Sequence, residues 1–109
     1  MIGGVGGLDG HTILQSVDSY DPRKNRWTSM PSLPEAVKYF SATAFDNDIL
    51  VIGGEVGGHL VRDVWRFVSA KRRWEKAPSL LTPRSCHASA VWGTRVYVIG
   101  GINAINAIE

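Results

Sequence analysis

Displaced by 47 residues, the chain matches itself: DILVIGG at 48–54 falls on RVYVIGG at 95–101, SATAF at 41–45 on ASAVW at 88–92, Tyr20 on Phe67, and Trp27 on Trp74. The opening MIGGVGG carries a third copy of the glycine pair, displaced by 50 residues because the loop after it is longer. A period of this length describes a supersecondary unit that cannot bury its apolar face alone, so successive units must stack on one another. The repeat also settles what the glycines are for. A phosphate-cradling loop needs the G-x-G-x-x-G or P-loop spacing and a helix behind it, whereas here Asp9 stands where a third glycine is required and no Lys-Ser or Lys-Thr follows.

Within one period the local signals are those of short strands. Tyr39–Phe45 and Cys86–Trp92 alternate small and apolar residues, and Asp48–Ile52 and Arg95–Ile99 are β-rich runs that end on a glycine pair. Turns are expected at Asp46-Asn47 and Gly93-Thr94. A third strand is expected at Gln15–Tyr20 and Arg62–Phe67, and a fourth around each tryptophan, at Arg26–Met30 and Arg73–Ala77. Asp21-Pro22 suits the first half of a type I turn between third and fourth strands, and the second copy has lost that chemistry, with Ser69-Ala70-Lys71 in its place. No long segment shows a 3.6-residue apolar period, so helix should be nearly absent.

Four short antiparallel strands per period describe one propeller blade. The diglycines Gly3-Gly4, Gly53-Gly54 and Gly100-Gly101, followed by Tyr20 or Phe67 and then by Trp27 or Trp74, resemble the kelch repeat in order and spacing. The resemblance implies an all-β fold, a β-propeller segment of about two kelch blades that is incomplete as a monomer. Residues 1–34 would supply the third and fourth strands of one blade, 35–80 a whole blade, and 81–109 the first two strands of another. Glycine suits the crowded end of an inner strand, and the aromatics suit the gap between blades, so Trp27 and Trp74 are both expected in the core. Propellers close with about four to eight blades, so closure needs either the remaining blades of a longer chain or copies of this one in a ring. The tail INAINAIE suggests no chemistry.

Composition narrows the function. Twelve basic and ten acidic residues are spread along the 109, leaving a net charge of +2 and no basic face for nucleic acid or anionic membrane. Lys71-Arg72-Arg73 aligns with Lys24-Asn25-Arg26 and reads as a solvated hairpin. The single cysteine, Cys86, and the absence of an Asn-x-Ser/Thr sequon favour a reducing, cytoplasmic setting. No eighteen-residue apolar run or signal-like start is present. Catalysis would have to be assembled from His11, His59, His87, Cys86 and scattered carboxylates. Cys86 and His87 are neighbours on a strand and point to opposite faces, so we expect no catalytic, metal or cofactor site and no enzyme.

The loops are left as the place for function. In kelch-like proteins the loops after each glycine pair and before each first strand form one partner-binding face, and the resemblance places there Asp9, His11, Glu55, His59 and Asn103, together with Glu35, Lys38, Tyr39, Arg84 and Ser85. Arg84 has a structural alternative as a bridge between blades. Both charge signs with an aromatic fit selective binding of a partner's peptide or loop. By resemblance to the animal kelch-like proteins, the parent would recruit substrates to a cullin-type ubiquitin ligase through a BTB domain outside this chain. Actin binding is the alternative among binding roles, and a propeller enzyme is the opposing class.

Overall fold

The computed structural model describes residues 2–6, 12–85 and 87–101, and among them there is no helix. Eleven strands follow in order: β1 Ile2–Gly6, β2 Thr12–Asp21, β3 Arg26–Met30, β4 Ser41–Phe45, β5 Asp48–Ile52, β6 Glu55–Val56, β7 His59–Leu60, β8 Val64–Val68, β9 Arg73–Ala77, β10 Ala88–Trp92 and β11 Arg95–Ile99. All pairing between these strands is antiparallel. The order β4-β5-β8-β9 makes one complete four-stranded sheet. It is flanked by a three-stranded sheet, β1-β2-β3, and by the hairpin β10-β11. A two-stranded ribbon, β6-β7, rises from the loop after Gly53-Gly54, a feature the repeat pattern did not announce.

The central strand β5 is an unbroken apolar run because both of its faces are covered. Val51 points into a cluster with Val17, Leu33 and Val37, over which Met30, Phe40, Trp65 and Trp74 pack. Leu50 and Ile52 point the other way, joining Val64 in a second cluster with Phe45, Ala77, Leu80, Val96 and Val98. These clusters are the seams between neighbouring sheets, so the core lies between blades. β10 of the last hairpin lies against β4.

Residue chemistry explains the turns. Asp46 and Asn47 both take left-handed φ values, 52° and 65°, as a tight two-residue hairpin requires. At the outer turn of the first sheet, the Arg23 amide donates to the Asp21 carboxylate at 2.9 Å, and Asn25 sits at φ 50°. Its counterpart in the second sheet keeps that geometry without those residues, since Arg72 occupies the left-handed position at φ 52°. Asp48 compensates. Its carboxylate accepts from the Ser69 amide at 2.9 Å and from Arg66 Nε at 2.7 Å, and these two bonds hold the Asp48 pKa below the usual carboxylate value.

The two tryptophans part company. Phe67 and Trp74 face each other across β8 and β9 with ring centroids 5.3 Å apart, and the Trp74 indole N–H donates to the Pro31 carbonyl at 2.9 Å, which ties the second sheet to the first. Tyr20 and Trp27 make the same cross-strand pair, at 5.0 Å, yet Trp27 is 61% exposed. The expectation of a buried Trp27 therefore fails for a geometric reason. Trp74 has the Pro31 carbonyl and the first sheet packed against it, and among the described residues none stands to Trp27 in the same way. In dilute solution, Trp74→Ala should cost about 3 kcal/mol and Trp27→Ala about 1 kcal/mol or less, read by denaturant unfolding. Equal losses would overturn this assignment of the seam.

Candidate partner-binding face

The geometry of this face is set at the ends of the inner strands. Gly54 has φ 104°, and a β-carbon there would lie 2.7 Å from the Lys38 carbonyl oxygen and 3.0 Å from Phe40 Cβ. Gly101, at φ 95°, meets the repeat-equivalent atoms, the Ser85 carbonyl oxygen at 2.5 Å and His87 Cβ at 2.9 Å. The connection entering each first strand thus runs directly over the glycine that ends the second strand. Only glycine allows that approach.

Once the two segments meet, they are stitched together. The Lys38 amide donates to the Glu55 carbonyl at 3.2 Å, and the Glu55 amide donates to the Lys38 carbonyl at 2.8 Å. β6 continues this ladder into β7, pairing Val56 with His59 around Gly57-Gly58, both at positive φ. Between these elements Tyr39 is held at φ 58°, an uncommon conformation for a bulky residue, with half of its surface exposed. The Lys38 ammonium lies 4.9 Å from the Tyr39 ring centroid. Strand β4 accordingly begins at Ser41 and not at Tyr39, because a left-handed residue cannot belong to the ladder. Beneath this ridge the hollow bounded by Val37, Val51, Val56 and Trp65 is about 10 Å³, room for one water. What the site offers is a surface and not a ligand cavity.

The structure brings together Glu35, Lys38, Tyr39, Glu55 and His59 around the ridge, and Glu35 and His59 are exposed. It removes Arg84 and Ser85, both buried. Arg84 is 1% exposed; its Nη1 donates to the Gly100 carbonyl at 3.0 Å, and its own carbonyl accepts from the Gly54 amide at 2.8 Å. This guanidinium is a bolt between the second sheet and the last hairpin. Asp9, His11 and Asn103 lie outside the described residues, as does Cys86. Gly3 and Gly4 lie in β1, while a β-carbon at Gly53, where φ is 62°, would lie 2.8 Å from the Arg84 carbonyl oxygen and 2.9 Å from the His87 ring.

His87, considered from the sequence only as a member of a catalytic set, is a seam residue. It takes the place that Phe40 holds one repeat earlier and is 9% exposed. Neither ring nitrogen completes a hydrogen bond. Burial lowers its pKa below 6.5; the Ile52 backbone opposes this, and the nearby Arg84 charge adds to it. Among the described residues, no group of three or more His, Cys, Asp or Glu side chains is placed to hold a metal ion, and no helix is long and apolar enough to cross a membrane.

Comparison with known proteins agrees with this geometry. The Kelch motif model matches three times, at residues 5–34, 36–81 and 83–108. The chain belongs to the Kelch motif family. Kelch-like protein 35 of Homo sapiens is 36% identical over 96% of this chain, and Kelch-like protein 21 of Danio rerio is 35% identical over 88%. Kelch-like protein 24 of Rattus norvegicus is 36% identical over 96%. The chain spans 16–18% of the length of these relatives. Among solved structures, YjhT superposes with a TM-score of 0.74 at 19% identity, over 94% of this chain and 34% of that one, a likeness of fold. The fold is thus an all-β segment of a kelch propeller, with one complete blade between two partial ones.

Since His87 is held neutral in the folded chain and the unfolded chain takes up its proton near pH 6.5, stability is full above that value and declines as pH falls below it. The melting temperature should fall between about pH 7.5 and 5.5, and His87→Phe should flatten part of that slope. An unchanged slope in the variant would show that the ring is hydrated in solution.

Proposed function

We propose that this kelch segment is a protein-interaction module that recognises a peptide or loop of its partner with the ridge formed by Glu35, Lys38, Tyr39, Glu55 and His59. The observation that carries the reading is Tyr39. An aromatic held half-exposed in a left-handed conformation gains no burial to offset its strain, and its neighbours are a cation and a glycine-tipped ribbon. Rigid aromatics of this kind are where binding energy concentrates at protein interfaces. Lys38 lies against its ring, and Glu55 and His59 on the adjoining ribbon add an acidic and a titratable group, which would set selectivity more than raw affinity. The similarity to Kelch-like proteins supports a parent in which such a face selects substrates for a cullin-type ubiquitin ligase through a domain outside this chain, in the cytoplasm. In that reading residues 1–34, 35–80 and 81–109 are consecutive blade portions and catalysis has no place.

The test is affinity capture with this chain, followed by titration of the retained protein. Tyr39→Ala should weaken binding about tenfold or more, whereas Lys71→Ala and Arg72→Ala on the outer turn should leave it unchanged. Binding that ignores Tyr39 and depends on the outer turn would defeat the proposal.

A further inference from the structure

Two positions of the repeat change together. In the first unit the bend at Pro34-Glu35 carries a carboxylate, and Gln15 is bonded to the same segment through side chain and backbone. Gln15 Nε2 donates to the Leu33 carbonyl at 2.8 Å, and the Leu33 amide donates to the Gln15 carbonyl at 2.7 Å. The 47-residue displacement replaces Gln15 by Arg62, Leu33 by Leu80 and Glu35 by Thr82. The backbone contact is kept, since the Leu80 amide donates to the Arg62 carbonyl at 2.8 Å. The charges are not kept. A neutral amide beside an acid has become a cation beside a hydroxyl.

No described side chain answers that cation. Arg62 is exposed, and among the described residues its guanidinium makes no hydrogen bond or ion pair. The neighbouring carboxylate, Asp63, is engaged by Lys76 at 3.3 Å. The segment from Leu80 to Arg84 is bonded to Arg62 and Val61 at its two ends, the second bond running from the Arg84 amide to the Val61 carbonyl at 3.3 Å. Thr82 therefore lies midway along a stretch laid against Arg62.

The position is open to an enzyme. The chain bends at Leu81-Thr82, where Leu81 is 84% exposed and Thr82 is partly exposed. Its equivalent Glu35 is exposed with the β6–β7 ribbon in place after the next glycine pair, so the bend stays outside the seam. Thr82-Pro83 is the one Ser/Thr-Pro dipeptide in the chain. Proline removes a backbone donor and keeps the preceding residue out of the helical region, which is the step that a proline-directed kinase accepts after its target hydroxyl.

We propose that Thr82 is a phosphorylation site for a proline-directed kinase and that Arg62 pairs with the phosphate. The Thr82 Oγ1 forms a bond to the γ-phosphorus of ATP while the bond from that phosphorus to the β,γ-bridging oxygen breaks. ADP leaves with the electron pair, and the hydroxyl proton passes to the kinase's catalytic carboxylate. The product carries a charge of about −1.5 to −2, an anion where the first unit has Glu35, and the guanidinium fork matches its oxygens. The site stands without reference to a partner. Only its effect on recognition, an anion added to the same class of loop as Glu35, rests on the interface proposed above.

The full 109-residue chain, folded by circular dichroism, is incubated with ATP and a mitogen-activated protein kinase, and the modified residue is located by mass spectrometry. Phosphate should be found on Thr82 and be lost in Thr82→Val. Pairing is read separately, by phosphorus-31 NMR titration of the phosphorylated parent and of phosphorylated Arg62→Gln, which restores the residue that the first unit has at this place. The second ionisation of the phosphate should lie about half a unit lower in the parent, because the cation favours the dianion. A chain that takes no phosphate at Thr82 would overturn the site. Equal midpoints in parent and Arg62→Gln would overturn the pairing, and neither result depends on a binding partner.

Discussion

Between the Gly54 α-carbon and the Lys38 carbonyl oxygen there is no space for a methyl group, and the same is true between Gly101 and Ser85. That crowding organises the molecule. A second strand that ends on a glycine lets the connection to the first strand pass directly over it, so the amides of Gly54 and Glu55 reach the carbonyls of Arg84 and Lys38 at 2.8 Å each. Three segments far apart in sequence converge on one short stretch of backbone. With the inner strand pinned at its end, its preceding residues are sealed on both faces, and β5 becomes the spine shared by two hydrophobic seams.

The surface proposed for partner binding is a by-product of the same junction. The ladder that fixes Lys38 against Glu55 leaves Tyr39 no extended conformation, and the side chain is thrust outward beside the β6–β7 ribbon. A rigid sheet therefore presents an aromatic whose position does not depend on the loop's own propensities, which would lower the entropy lost in the proposed binding. On the other side of the diglycine, Arg84 and His87 are packed in the seam, where a guanidinium bonded to the Gly100 carbonyl and an imidazole occupy space that the previous repeat fills with Val37 and Phe40. Substituting polar for apolar residues at one seam and not the other makes the two junctions unequal in strength.

Much of this was legible in the residues. The repeat located the strands to within a few positions, and Asp46-Asn47 and the glycine pairs marked their turns, because tight turns and close approaches admit few residue types. What escaped was decided by partners distant in sequence. Nothing in Lys38-Tyr39-Phe40 distinguishes an extended residue from a left-handed one, since the conformation is imposed by Gly54 and Glu55. Arg84 and Ser85 looked like loop residues by position, yet the carbonyl of Gly100 offers the guanidinium a buried acceptor. Trp27 matched Trp74 in every local respect and differs in having no described residues packed over it as the first sheet packs over Trp74. The Ser69-Ala70-Lys71 turn looked degraded, and Asp48, reaching across from a neighbouring strand, restores it.

Native-state hydrogen exchange at the diglycine junction tests the central claim most directly. If the molecule is organised around this crossing, the amides of Gly53, Gly54 and Glu55, bonded to Asp63, Arg84 and Lys38, should exchange only with the global unfolding that also exposes Val51. Exchange of these three amides at the rate of the exposed ribbon tip, Gly57-Gly58, while Val51 remains protected, would contradict it.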